Sequence, residues 1–235
     1  MKKFITLLTS VLMLTMSPTI EATEESYITN KDITKDLVSE SSEIYNVSEW
    51  AKSEIDKAKN YNLIPEALNG KDMTEVITRH EFAALAVRLY ESITNETLPE
   101  SLLSPFEDIS DPDVTSAYYL GITQGVSERL FEPERNISRE EAAVMLTRTL
   151  VSSECVIDMS YNSEFKFADD EYISDWSKSS VYFMADKKII LGMGDNKFAP
   201  KNITANEEAV KYANSTREQA LLMAVRSYEL VKGGL

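Results

Sequence analysis

The chain has 235 residues, of which 39 are Asp or Glu and 24 are Lys or Arg, so its formal net charge at pH 7 is −15. Such an acidic surface argues against nucleic acid or anionic lipid as a partner, because both would repel it. The single cysteine, Cys155, permits no disulfide within the chain, so the fold must depend on a hydrophobic core, for which a 43% hydrophobic content is sufficient.

The first 22 residues have the pattern of a secretory signal peptide. Lys2 and Lys3 precede an apolar run that is too short to span a bilayer, and Ala22 marks a candidate cleavage site. Residues 23–46 are polar and without periodicity, which predicts a mobile N-terminal segment. The sequence therefore predicts an exported protein whose mature form has no membrane span.

Three stretches further along the chain share one helix-start pattern. In each, Ser or Thr is followed three positions later by Glu or Gln, the pattern of a capping box in which each side chain accepts a hydrogen bond from the other residue's backbone N–H. An Arg follows every cap directly, and a second Arg follows nine residues later. The pattern predicts three amphipathic helices of an internal repeat. The stretches are ITRHEFAALAVRLY (77–90), ISREEAAVMLTRTL (137–150) and STREQALLMAVRSY (215–228).

Each of these helices follows a shorter helical pattern and a loop, so the chain is organised as three helix–loop–helix units. The third unit carries an insertion at about 204–214, where a further capping pattern predicts a short helix from about Ala205 to Tyr212. One helix pair cannot bury both apolar faces alone, so we expect the units to pack as one all-α body. Sheet is expected only as two-residue β-bridges where the Phe-x-Pro loops meet. Units 1, 2 and 3 span residues 47–92, 104–151 and 165–230.

The Arg that follows each cap is unusual for its position. Arg79, Arg139 and Arg217 stand at helix N-termini, where the partial positive charge of the helix disfavours a cation. Two interpretations remain open. Each Arg either braces the fold by pairing with an acid of its own unit, or it joins exposed backbone N–H groups in binding an anion.

Motifs for catalysis and metal binding are weak. The single histidine, His80, has no Cys or Ser signature near it and is expected to be exposed in a first helical turn. Cys155 lies in a linker, and the loop 194–197 resembles a calcium loop only superficially. We therefore expect no enzymatic activity, no metal and no cofactor.

The motifs resemble the S-layer homology domains that attach exported proteins to Gram-positive cell walls, and the resemblance covers about residues 47–230. It implies a pseudo-threefold, three-pronged helical spindle, in which grooves between repeats bind a secondary cell-wall polysaccharide carrying acidic pyruvyl-ketal sugars. The resemblance rests on W-A-x-x-x-I (Trp50, Ala51, Ile55), F-x-D (Phe106, Asp108; Phe167, Asp169), G-I-x-x-G (Gly121, Gly125), F-x-P (Phe131, Pro133; Phe198, Pro200) and I-T-R-x-E (Ile77 to Glu81).

The same resemblance implies the site residues. The arginines would contact the ligand carboxylate, the tryptophans would stack on sugar rings, and the glycines would allow close backbone approach. The aspartates would accept sugar hydroxyls or orient the arginines. Considered from the residues alone, the tryptophans fit a core equally well, the glycines fit simple turns and the aspartates fit helix caps. The residues are Arg79, Arg139, Arg217, Trp50, Trp176, Gly125, Gly192, Asp108 and Asp169.

Some positions depart from the family pattern. Glu140 and Glu218 stand where Ala is usual and are expected to weaken an anion site unless they face solvent, and unit 2 has Tyr118 or Tyr119 near the expected Trp. Two functions therefore remain open for a secreted, wall-associated protein. One is binding to the pyruvylated wall polymer, and the other is a structural role among other surface-layer proteins with little polymer binding.

Overall fold

The regular secondary structure is helical throughout the residues that the computed structural model describes, which are 45–99, 101–155 and 157–233. This confirms the all-α prediction. The predicted signal peptide, and the predicted mobile segment except for its last two residues, lie outside the described residues. Within the described ranges, the helices are all too short or too polar to cross a membrane.

In the described part of the chain, seven α-helices are joined by loops and short 3₁₀ turns. The longest three are the helices predicted from the repeated capping pattern. The helices are α1 (Lys52–Asn60), α2 (Arg79–Thr94), α3 (Pro112–Tyr119), α4 (Arg139–Ser152), α5 (Lys178–Asp186), α6 (Ala205–Ala209) and α7 (Arg217–Gly233), and the 3₁₀ turns are Glu49–Ala51, Glu66–Leu68 and Asp170–Tyr172.

Capping boxes start all three long helices, as the sequence predicts. In α2, the Glu81 backbone N–H donates to the Thr78 hydroxyl at 3.2 Å, and the Thr78 N–H donates back to the Glu81 carboxylate at 3.0 Å. The boxes of α4 and α7 have the same reciprocal bonds. The insertion helix is also present but ends at Ala209, three residues earlier than predicted, because Lys211 adopts a left-handed backbone (φ 53°).

The backbone segments that precede the three caps pair with one another. Val76 bridges to Thr216, Thr78 to Asn136, and Ser138 to Asn214, so each segment contacts both others. The expectation that bridges form where the Phe-x-Pro loops meet is wrong. The carbonyls of those loops accept from helix N-termini instead: the His80 N–H donates to Pro133 at 3.1 Å, and the Glu140 N–H donates to Pro200 at 3.0 Å.

The helices interlock between units. The first helix of each unit packs on the long helix of the unit before it: α3 on α2, α5 on α4, and α1 back on α7. The long helix α2 also contacts α4 and α7, which touch each other. Each fully buried aromatic or aliphatic side chain contributes roughly 1.5–3 kcal/mol to this core. The largest of them include Phe82, Phe131, Phe183, Phe198, Ile55 and Leu63.

Candidate functional site

Arg79 is buried at a junction between two units. Its Nε donates to the Phe131 carbonyl at 3.0 Å, its Nη1 donates to Glu141 Oε1 at 3.0 Å, and the guanidinium lies 4.9 Å from the centre of the Phe131 ring. Burial lowers the pKa of Arg79, an effect that the Glu141 charge partly offsets. Arg79 thus joins unit 1 to unit 2 through a charge-assisted bond.

Arg217 occupies the equivalent junction between units 3 and 1. Its Nε and Nη2 donate to both oxygens of Glu81, at 2.9 and 2.8 Å, and its Nη1 donates to the Asp72 carbonyl at 2.9 Å. The expectation that a bracing Arg pairs with an acid of its own unit is therefore wrong for Arg79 and Arg217, since their partners lie in the neighbouring unit. Helices that interlock between units bring these side chains together.

Arg139 differs from the other two. Its Nε donates to the Phe198 carbonyl at 2.9 Å and its Nη2 to the Leu191 carbonyl at 2.5 Å. Within the described residues, no carboxylate lies within ion-pair distance of it, because Gln219 replaces the acid that Glu141 and Glu81 supply at the equivalent position. Burial lowers the pKa of Arg139 to about 10. A buried guanidinium without a neighbouring countercharge is energetically costly.

The two acids that follow the arginines do not face solvent. Glu140 accepts from the Ser174 N–H at 2.9 Å and from the Ser174 and Ser177 hydroxyls at 3.0 and 2.9 Å. Glu218 accepts from the N–H and hydroxyl of Ser48, at 3.0 and 2.8 Å. These buried carboxylates fasten the first helical turn of one unit to the long helix of the unit before it.

His80 stands at the same position in unit 1. Its Nε2 lies 3.2 Å from Asp111 Oδ2, the N-cap carboxylate of α3. The side chain is 26% exposed, so the expectation of an exposed histidine is wrong. The interaction with the nearby Asp111 carboxylate raises the pKa of His80 in spite of its partial burial.

Both tryptophans lie at the surface, with 55% of Trp50 and 58% of Trp176 exposed, which excludes the core interpretation. Trp176 lines a cavity of about 370 Å³ together with Arg79, Gly125, Glu141 and Arg148. We call this cavity the Trp176 groove. It combines residues from all three predicted units, and three of them, Arg79, Gly125 and Trp176, are sequence-predicted site residues.

The glycines and aspartates shape loops of their own units. A Cβ on Gly125, whose φ is +77°, would lie 2.6 Å from the Leu130 carbonyl oxygen, and one on Gly192 would lie 2.6 Å from that of Lys197. The close approach of each glycine is therefore to its own turn, as the turn interpretation expects.

The carboxylates of Asp108 and Asp169 hold the Phe-x-Pro loops. Asp108 accepts from the N–H groups of Phe131 and Glu132, and Asp169 accepts from those of Phe198 and Ala199 at 2.8 Å. The helix-cap interpretation of both aspartates is wrong, because Asp111 caps α3 and Asp169 makes no cap bond to the turn that follows it.

A second cavity, of about 410 Å³, occupies the position in unit 1 that corresponds to the Trp176 groove in unit 2. It includes Pro65, His80, Arg88, Asp111 and Asp113, and we call it the Asp113 groove. The expectation that Tyr118 or Tyr119 takes the tryptophan position is wrong. Asp113 lies two residues after Asp111, which His80 contacts, as Trp176 lies two residues after Ser174, which Glu140 contacts. Burial, together with the charge of Asp111, raises the pKa of Asp113 to about 6.

Arg148 was missed as a site residue. It lines the Trp176 groove, and within the described residues its guanidinium makes no ion pair or hydrogen bond. The signal was present in the sequence as the second Arg of each repeat, nine residues after the first. It could not be interpreted alone, because the packing of the next unit decides what lies beside that Arg.

Two segments of the chain, residues 106–143 and 166–204, match the S-layer homology domain. They lie in predicted units 2 and 3. The match is confined to these two segments, and S-layer homology domains are binding domains rather than catalytic ones.

The chain is also similar to parts of three larger proteins. It is 34% identical over 122 residues to an endoglucanase of Bacillus sp. (strain KSM-635), covering 49% of this chain and 13% of that protein. It is 29% identical over 170 residues to exoglucanase XynX of Acetivibrio thermocellus, covering 68% and 15%. It is 26% identical over 159 residues to cell surface glycoprotein 1 of the same species, covering 62% and 7%. Because the chain spans no more than 15% of any of these relatives, the similarity assigns it no catalytic activity.

Proposed function

We propose that this protein is exported and binds an acidic, pyruvylated secondary cell-wall polysaccharide non-covalently, which anchors it to a Gram-positive type wall. One observation carries the proposal: the fold assembles Arg79, Arg148 and Trp176, from three different units, around one open cavity. The similarity to a protein described as a cell surface glycoprotein supports the proposed location.

The chemistry of the Trp176 groove suits a charged sugar. An indole ring that is more than half exposed offers an apolar face against which a sugar ring can pack. Two guanidinium groups stand against one carboxylate, Glu141, so the groove carries a local positive charge on a chain whose net charge is −15. Arg148 is free to form the bidentate bond that a ligand carboxylate accepts.

Arg139 offers a second anion contact. Within the described residues no carboxylate lies within ion-pair distance of Arg139, and the more distant charge of Asp169 only partly offsets its burial, so a ligand carboxylate would supply a closer countercharge. Arg139 also lies beside the Ile190–Gly192 turn through its bond to Leu191. Trp50 occupies the position in unit 1 that corresponds to Trp176, next to the Ser48 that Glu218 holds. We call Arg139, Leu191 and Trp50 together the Arg139 junction, and we propose that it binds the polymer as well.

Arg217 is proposed to have a structural role only. Both of its outer donors and its Nε are used by Glu81 and the Asp72 carbonyl, so little of the guanidinium is left for a ligand. The three predicted grooves would then differ in occupancy. The Trp176 groove and the Arg139 junction would bind, and the junction at Arg217 would hold units 3 and 1 together.

Co-sedimentation with purified wall sacculi tests the proposal. The exported chain, residues 23–235, is mixed with sacculi that carry their polymer and with sacculi from which it has been chemically removed. Binding that depends on the polymer supports anchoring. Equal recovery in both supernatants would overturn it and favour the alternative, a structural component of the surface layer whose partners are other proteins.

Substitution of Trp176 tests whether the polymer binds in the Trp176 groove. Trp176→Ala is expected to lower the affinity for intact sacculi at least tenfold, because it removes the stacking face without unpairing a buried group. Tyr119→Ala is the matched control, because Tyr119 is similarly exposed (51%) but does not line the Trp176 groove. Equal losses for both variants would contradict the assignment of this groove.

A further inference from the structure

The insertion in unit 3 contributes little to the core. From the proline of the Phe-x-Pro loop to the helix cap, the chain takes five positions in unit 2 (Pro133 to Ser138) and sixteen in unit 3 (Pro200 to Thr216). The extra residues form α6, which has no buried residue. Of the inserted residues Ala213 is buried, so hydrophobic burial accounts for little of the conformation of this segment.

Polar contacts hold the insertion in place instead. Thr204 and Glu207 form a complete capping box at the start of α6. The Asn202 side chain closes the base of the insertion: its Oδ1 accepts from the Ala213 N–H at 2.8 Å, and its Nδ2 donates to Asn214 Oδ1 at 3.0 Å. The insertion is thus a preformed wall rather than a loose loop, and preorganisation of this kind reduces the entropic cost of binding.

The wall encloses a cavity of about 440 Å³, which we call the insertion cavity. Its apolar lining is exposed to an extent that is unusual for a surface loop: 44% of Tyr172, 49% of Ile203 and 64% of Val210 are accessible. Tyr212 completes this side. A volume of this size is within the range of small-molecule sites, and a cluster of exposed apolar and aromatic side chains marks a contact surface.

Charged groups at the insertion cavity favour an anionic ligand. Two carboxylates line it, but Asp169 is held by the N–H groups of Phe198 and Ala199, and Glu207 is held by those of Ile203 and Thr204. Those bonds already stabilise both negative charges.

The two ammonium groups of the cavity differ in how far they are used. Lys201 pairs with Glu140 at 3.3 Å and donates to the Ser174 hydroxyl. Lys197 has no ion-pair partner within the part of the chain that the structure describes. The Lys197 ammonium is therefore available to a ligand anion.

We propose that the insertion cavity binds a sugar residue that carries a carboxylate or a phosphate. The sugar ring packs against Tyr172 and Tyr212, and its anionic group binds Lys197. The choice of a sugar rests on the proposed function, but the cavity itself is separate, because none of its lining residues lines the Trp176 groove. Unit 3 would thus hold a site that units 1 and 2, which lack the insertion, do not have.

The test is an NMR titration of the exported chain with glucuronate, with glucose 6-phosphate and with glucose, following the backbone amides of residues 197–212. Saturable shifts with either anionic sugar, and weaker ones with glucose, are expected. Lys197→Glu should weaken that binding at least tenfold. Lys211→Glu should leave it unchanged, since Lys211 makes the same charge change in the same insertion but outside the cavity lining.

Two results would overturn the proposal: no saturable shift with either anionic sugar, or equal losses for the Lys197 and Lys211 variants. Saturation with only one of the two anionic sugars supports it and identifies the anion. The Trp176→Ala variant separates this proposal from the wall-anchoring one. It should bind sacculi at least tenfold more weakly while keeping the sugar-induced shifts, so each proposal can fail without the other.

Discussion

The Trp176 groove and the Asp113 groove have the same place in the repeat but opposite chemistry. The first presents an exposed indole, the Arg79–Glu141 pair, and a guanidinium at Arg148 that makes no ion pair within the described residues. The second presents Asp113 where the indole would be, and its Arg88 bonds to Glu91 and Asn62. One groove is suited to an anionic sugar, whereas the other would repel it.

The difference teaches that an interlocked repeat can preserve its packing while losing a site. His80 contacts the first helix of the next unit as Glu140 and Glu218 do, although it does so as a base facing an acid instead of an acid facing hydroxyls. The contact between the units is thus retained, although a base replaces the acid on the long helix. The position two residues after Asp111 or Ser174, where Asp113 and Trp176 stand, can then change without effect on the core.

The largest effect is expected from breaking the fastening of the turn that carries Trp176. Glu140→Ala leaves the donors of Ser174 and Ser177 and the Lys201 ammonium without their acceptor, and should cost about 3 kcal/mol of unfolding free energy. The thermal midpoint should fall by roughly 6–12 °C. His80→Ala, at the same position in the other groove, should cost only about 1 kcal/mol, because it removes one partly exposed bond. Equal midpoints for the two variants in calorimetry would contradict this ranking.

The next largest effect is expected from a substitution that makes the Trp176 groove resemble the Asp113 groove. Trp176→Asp should reduce binding to sacculi more than Trp176→Ala does, since it both removes the stacking face and adds a charge that repels the ligand anion. The excess loss should shrink at high salt, because screening weakens the repulsion of exposed charges. An excess that does not change with ionic strength would show that repulsion is not its cause.

A smaller effect concerns the pH dependence of the Asp113 groove. The folded pKa of Asp113, about 6, is above its unfolded value of 3.8, so the folded state binds more protons between these values and stability falls as pH rises from about 4 to about 6. Asp113→Asn removes that loss. After allowance for solvent screening at a partly exposed group, the gain at pH 7 should be about 1 kcal/mol, or roughly 2–4 °C. Thermal midpoints measured at pH 4 and pH 7 should show the gain only at the higher pH.

The smallest effect is expected where the helices bordering the two grooves begin. Ile77 and Ile137 are buried just before the caps of α2 and α4, whereas α7 has Ser215 there, 1% exposed and with no partner for its hydroxyl in the described residues. Ser215→Ala removes an unsatisfied polar group and should stabilise the fold by about 0.5–1 kcal/mol. A thermal midpoint that falls would mean that the hydroxyl has a partner.

The sequence by itself determined the local features of this protein. Capping boxes predicted the starts of α2, α4 and α7, because a cap depends on residues three positions apart in the chain. The same reasoning predicted the insertion helix but placed its end at Tyr212, because the amino-acid sequence does not indicate that Lys211 adopts a left-handed backbone. The repeated pattern also predicted the all-α class.

Only the tertiary structure decided what each repeated residue contacts. Arg79 and Arg217 pair with Glu141 and Glu81 of neighbouring units. For Arg139, Gln219 stands at the position equivalent to those two acids. These outcomes depend on helices that pack between units, and contacts across that distance leave no local periodicity in the sequence. Burial, too, belongs to the assembled fold. The packing of the long helices places Trp176 at the surface and gives Asp113 a raised pKa, because desolvation depends on all the surrounding chain.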